Sequence, residues 1–201
     1  MYQIHTTPGF IIDSRPYGEA DKILSIFTRE LGLVTATARG IRLERSKLRY
    51  HAQDMSFGTF SLVRGKEFWR LTSVREERRD ERLDIREERT EIRDERELVA
   101  RLAFLLKRLL HGEEANSRLF DAIASAADFL DGHGSTGEQL KTLESVTVLR
   151  MLDALGYIGS GSSIDEQMRS GPITTELLES LGPKRLAMNR QINQALKESH
   201  L

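Results

Sequence analysis

Residues 23–38 constrain the fold most. Ile23-Leu24-Ser25-Ile26-Phe27-Thr28 and Leu33-Val34-Thr35-Ala36-Thr37-Ala38 are short β-favouring runs on either side of a tight turn at Glu30-Leu31-Gly32. The second run alternates, so Val34, Ala36 and Ala38 face a core while Thr35, Thr37 and Arg39 face outward. Arg39 opens a cationic series that leaves the strand at Gly40 and continues as Ile41-Arg42-Leu43-Glu44-Arg45-Ser46-Lys47-Leu48-Arg49. Five basic residues against one acidic residue give this loop a local charge of +4. A sheet holds such a loop in position, which is a common arrangement for a functional segment. Phosphate backbones are the polyanions a row of this kind fits, and Arg39, Arg42, Arg45, Lys47 and Arg49 are the expected DNA contacts. A solvated basic loop without a ligand fits the same composition.

Around these strands, residues 1–75 read as β. Phe10-Ile11-Ile12 predicts a first strand and Arg15-Pro16-Tyr17-Gly18 a turn. A fourth strand is expected from Gln53 to Val63 and a fifth from Lys66 to Val74. Five short strands with one longer, charged connection suit a closed barrel of OB type. In the fifth strand, alternation places Lys66, Phe68 and Arg70 on one face and Glu67, Trp69 and Leu71 on the other. An aromatic ring between two cations suits a nucleic-acid strand, with the ring on a base and the cations on phosphates. The same pattern allows Phe68 to be core and Trp69 to cover the far side of the barrel. Tyr50, at the end of the basic loop, is a second stacking candidate.

Residues 75–97 change in charge density: 19 of 23 are charged, 8 basic and 11 acidic. Opposite charges recur at spacings of three and four, which predicts a charged connecting helix over 76–97. A thin stripe of Ile85, Ile92 and Val99 fits either a solvated bridge or a partner-binding helix. Helical periodicity then continues over 98–201. Helices are expected at Leu98–Leu110, Ala115–Leu130, Gly137–Leu155, Thr174–Leu181 and Lys184–Leu196. The fold class is α+β, an N-terminal five-stranded OB-type barrel followed by an all-α domain. Charge divides with it. Residues 1–70 carry eleven basic and seven acidic side chains, and the remainder nineteen and twenty-four.

The pattern Tyr17-Gly18-Glu19-Ala20-Asp21-Lys22-Ile23-Leu24, then Phe27-Thr28, Leu31-Gly32, Ala38-Arg39-Gly40-Ile41-Arg42 and Ser46-Lys47, resembles the opening of the bacterial recombination mediator family RecO. The family runs roughly Y-x-E-x-D-x-I-L, F-T, G, A-K-G-A-R and K-S. Here Arg39 stands for the usual Lys, and one extra residue precedes Ser46. The match covers about the first 75 residues. The resemblance implies a non-enzymatic role in DNA repair: binding of single- and double-stranded DNA, annealing of complementary strands and assistance in loading RecA. It also implies partnership with RecR and with the acidic tail of the single-stranded-DNA-binding protein. Lys141 and Arg150, helical-domain cations, are the expected tail contacts. Leu155-Gly156-Tyr157 resembles the family's lead-in to a four-cysteine zinc module, but Gly159-Ser160-Gly161-Ser162-Ser163 follows and the chain has no cysteine. No metal site is therefore expected.

Catalytic patterns are not visible. Gly132-His133-Gly134-Ser135-Thr136-Gly137 satisfies G-x-G-x-x-G but follows a helix. No Walker lysine and no G-x-S-x-G elbow occur, and the five histidines show no ligand spacing. The start Met-Tyr-Gln-Ile-His has no signal-peptide pattern and no apolar run approaches ~18 residues, so a cytoplasmic protein is expected, and the resemblance implies that it is nucleoid-associated. The alternative is a protein-binding adaptor, in which the barrel is structural and the helical domain recruits partners.

Overall fold

The computed structural model describes residues 3–76, 90–110, 112–132, 135–159 and 166–198. Five strands, β1 (Ile4–Tyr17), β2 (Asp21–Thr28), β3 (Gly32–Ala38), β4 (Phe57–Arg64) and β5 (Trp69–Glu76), close a barrel in the order β1-β2-β3-β5-β4. All neighbouring pairs are antiparallel except β3 with β5. This is the expected OB-type barrel. β1 is shared by two partners: Ile4–Phe10 pairs with β4 and Gly9–Tyr17 with β2. A bulge between Ile11 and Asp13 bends the strand where it passes from one to the other. The bulge keeps its backbone bonds: Met55 N–H donates to Ile11 O at 2.8 Å, and Ile11 N–H to Ser56 O at 3.0 Å.

The core follows the alternation. Leu24 and Ile26 of β2, Val34, Ala36 and Ala38 of β3, Phe60 and Leu62 of β4, and Trp69 and Leu71 of β5 share one buried cluster. Three boundaries differ from expectation. Arg15, Pro16 and Tyr17 are strand residues, not a turn, because Gly18, at φ 61°, supplies the left-handed residue on which the chain reverses. β4 begins at Phe57, after the irregular stretch ending at Ser56, and β5 begins at Trp69 instead of Lys66. The β4–β5 turn uses residues 65–68, and it is tight: a Cβ on Gly65 would lie 2.2 Å from Phe68 O.

The chain divides into two compact units, Met1–Asp84 with Ala103–Ser117, and Ile85–Leu102 with Arg118–Leu201. Helix α2 (Thr90–Leu109) contributes to both, while residues 77–89, most of the expected charged helix, lie outside the described residues. In the first unit, Lys107 of α2 meets Asp13 of β1 at 2.6 Å. Beyond α2, Glu113 accepts from Trp69 Nε1 at 3.1 Å and pairs with Arg64, whose guanidinium lies 4.9 Å over the Trp69 ring. The backbone of Glu114 sits against Gly32 so closely that a Cβ there would be 2.4 Å from Glu114 O. Gly32 also has φ 69°. Gly32→Ala is therefore expected to destabilise the protein by about 2 kcal/mol, from left-handed strain plus the backbone clash. A denaturant melt followed by Trp69 fluorescence checks this, and a midpoint equal to the parent's would contradict it.

The second unit contains α3 (Ser117–Gly132), α4 (Gly137–Ala154), α5 (Glu166–Arg169), α6 (Thr175–Leu181) and α7 (Arg185–Glu198). Thr136 and Gln139 form a capping box at the start of α4, and Gly156, at φ 80°, follows its end. The glycine motif thus joins two helices, as its position after a helix implies. α4 is central, with α5, α6 and α7 packed on it. Its buried polar side chains find partners within the helix and across to α7: Thr147 donates to Leu143 O at 2.7 Å, and Ser145 donates to Asn189 Oδ1 at 2.8 Å.

Candidate nucleic-acid interface

Gly40, at φ 64°, turns the chain off β3, and its N–H donates to Asp21 Oδ1 at 2.7 Å. Arg42 N–H donates to Ala20 O at 2.9 Å, so the loop is laced to the β1–β2 turn. Ile41 is buried in the barrel core, as is Ala52 at the other end, with Leu48 packed against the same cluster. Successive turns, Leu43 N–H to Gly40 O and Ser46 N–H to Leu43 O, shorten the span between these anchors. It ends in the one-turn helix α1 (Leu48–His51), which packs against β5. Apolar anchors inside and polar residues outside decide which way the cations point. Arg39, Arg42, Arg45, Lys47 and Arg49 are all exposed, and among the described residues none forms an ion pair with a carboxylate. The Arg42 guanidinium donates to Gly18 O, at 3.3 Å. Their charge is left for a polyanion in solvent.

The aromatic candidates separate. Tyr50, on α1, is 66% exposed. Phe68 is half-buried and, with exposed Lys66, lies in the β4–β5 turn, so these two are not on a strand face with Arg70 as expected. The cause is the late start of β5, which also turns Trp69 into the core instead of the far side of the barrel. Arg70 is an exposed β5 residue paired with Thr37 of β3, two residues before Arg39. Two exposed residues that the sequence reading leaves out, Arg15 and Tyr17, close β1 beside the same turn. Only the β1 register brings them there, and the misplaced turn hid it.

In the helical unit Lys141 is exposed but bonded to Glu138 at 2.8 Å, and Arg185 holds the other oxygen of that carboxylate at 2.6 Å. Hydrogen bonds from Lys141 and then Arg185 pull the Glu138 carboxyl down to about 2. Arg150 is a correction. It is not the accessible cation that a tail contact needs. It is 3% exposed and donates to Met168 O at 2.9 Å, Gly171 O at 2.8 Å and Ser170 O at 3.1 Å. Its place in the later turns of α4, where every residue from Ser145 to Asp153 is buried, leaves it no route to solvent. Nearby Asp153 accepts from Arg118 at 2.6 Å and Arg169 at 2.7 Å. Among the described residues no group of three or more His, Asp or Glu side chains is placed to hold a metal ion, and no helix is long and apolar enough to cross a membrane.

Residues 1–76, the barrel strands together with the basic loop, match the family described as recombination protein O N terminal. Through this domain the chain is similar to the RecO proteins. Relatives named DNA repair protein RecO include those of Alkaliphilus metalliredigens, 29% identical over 117 residues (58% of this chain, 45% of the relative), and Rubrobacter xylanophilus, 31% identical over 132 residues (64% and 49%). The RecO of Clostridium novyi is 27% identical over 154 residues, 77% of this chain and 57% of its own length. The chain spans about half the length of these RecO relatives.

Proposed function

We propose that this chain acts in DNA repair as a non-enzymatic recombination mediator that binds single- and double-stranded DNA through its basic barrel loop. The observation that carries this is the arrangement of the loop, apolar at its anchors and cationic between them, with five exposed cations that no described carboxylate neutralises. Fixed cations on a rigid barrel meet phosphates without reading sequence. Neutralising two strands lowers their repulsion and favours annealing. RecR, the acidic tail of the single-stranded-DNA-binding protein and, indirectly, RecA are the proposed partners, in the cytoplasm. Lys141 remains the proposed tail contact, in competition with its Glu138 pairing. The relatives' shared name supports the repair assignment.

The test is the salt dependence of binding to a fluorescent oligonucleotide. If each loop cation meets one phosphate, log affinity for single strands falls with log salt at a slope of about −3.5, from roughly −0.7 per contact. Between 50 and 200 mM salt that is a loss of about 100-fold. Affinity that does not respond to salt would reject the proposal and favour the adaptor.

A further inference from the structure

The pairing register extends the cationic surface beyond the loop. Arg15 pairs with Ile23, Ile23 with Thr37, and Thr37 with Arg70, so these four residues form one row across β1, β2, β3 and β5. Directly opposed residues project from the same side of a sheet. The neighbouring row is Ser14, Leu24, Ala36 and Trp69, and its last three members lie in the barrel core. The Arg15–Arg70 row therefore lies on the outer face, with an arginine at each end. Three strand spacings make it about 14 Å wide. Its middle is closed: Ile23 is buried, and the Thr37 hydroxyl donates to Trp69 O at 3.3 Å.

One step further along the strands lie Tyr17, paired with Asp21, and Arg39, two residues past Thr37. The Asp21 carboxylate is engaged by the Gly40 N–H. Tyr17 is 51% exposed, and its phenol makes no hydrogen bond or ring contact with another described residue. An open aromatic ring two residues from Arg15, on a surface that carries Arg39 and Arg70 further across the sheet, is a combination that a phosphate clamp alone does not require. A ring can stack on an unpaired base, whereas bases inside a duplex are already stacked on one another. Resting on the phosphate-binding reading above, we propose that Tyr17, with Arg15 on its own strand and Arg39 and Arg70 further across the same face, is a base-stacking residue that makes this surface prefer single strands to duplexes.

The experiment compares the full chain with its Tyr17→Phe, Tyr17→Leu and Tyr17→Ala variants. Each is titrated at fixed salt with fluorescein-labelled oligo(dT) and with a labelled hairpin duplex of equal charge. Tyr17→Ala and Tyr17→Leu are expected to bind the single strand about tenfold more weakly while duplex affinity stays within about twofold, and Tyr17→Phe to behave as the parent. Tyr17→Leu keeps an apolar group of similar bulk, so its loss isolates the ring from simple packing. An unchanged ratio of single-strand to duplex affinity in both non-aromatic variants overturns the inference. The Arg42→Glu/Arg45→Glu variant is run beside them. If it leaves both affinities intact, the loop reading fails, while the Tyr17 ratio still decides the stacking role by itself.

Discussion

Replacing Arg42 and Arg45 together by glutamate is expected to weaken binding of single-stranded oligonucleotides of any sequence by about 60-fold at 50 mM salt. A phosphate contact that releases about 0.7 of a counterion strengthens binding by about eightfold at 50 mM relative to 1 M, and two such contacts multiply. Repulsion from the new carboxylates adds to the loss. The slope of log affinity against log salt should fall in magnitude from about 3.5 to about 2.1, as three contacts remain. Neither side chain enters the barrel core, and the loop's anchors Ile41, Leu48 and Ala52 are untouched, so the fold should survive. Anisotropy titrations at three salt concentrations give both quantities. Curves that superimpose on the parent's would remove the loop from the mechanism.

Arg150→Met is expected to destabilise the helical unit by about 3–5 kcal/mol, because Met168, Ser170 and Gly171 would each keep a carbonyl that has lost its charged donor. For a chain of this size the thermal midpoint should drop by roughly 10 °C or more. Burial lowers the pKa of the guanidinium, but its intrinsic basicity keeps it charged, so the donors are present at any pH at which the fold exists. Arg150→Lys should recover only part of the loss, since one ammonium cannot follow a planar fork onto three separate carbonyls. Melting followed by circular dichroism at 222 nm reads both variants. A loss below about 1 kcal/mol for Arg150→Met would mean that water replaces the guanidinium and that the site is wetter than its burial indicates.

Legibility in the sequence tracks how local the determining interaction is. The β2–β3 hairpin was readable because Val34, Ala36 and Ala38 alternate cleanly with polar residues, and their inward placement is what the barrel shows. The basic loop was readable for the same reason, as it starts where that alternation stops. The ends of β1 and β5 were not. Pro16 looks like a turn residue on its own, yet opposite Lys22 at the end of a strand it needs no N–H to complete the ladder. Lys66 to Leu71 alternates perfectly, and nothing local reveals that residues 65–68 are taken up by the turn. Arg150 was misread because a cation at helical spacing carries no mark of the three carbonyls that arrive from residues 168–171. The longer helices were legible, being set by apolar periodicity and by stops at glycine, whereas the four-residue helices α1 and α5 are too short to show a period and were not expected.

The return of Ala103–Ser117 to the barrel has a consequence for how this molecule can be made and dissected. A ribosome finishes β5 well before it reaches Lys107, Glu113 and Glu114, so the emerging sheet waits for its last supporting wall. A fragment cut after residue 76, where the family match ends, would strand the Trp69 indole N–H without its carboxylate and leave Gly32 facing water. The compact unit that holds the barrel reaches Ser117.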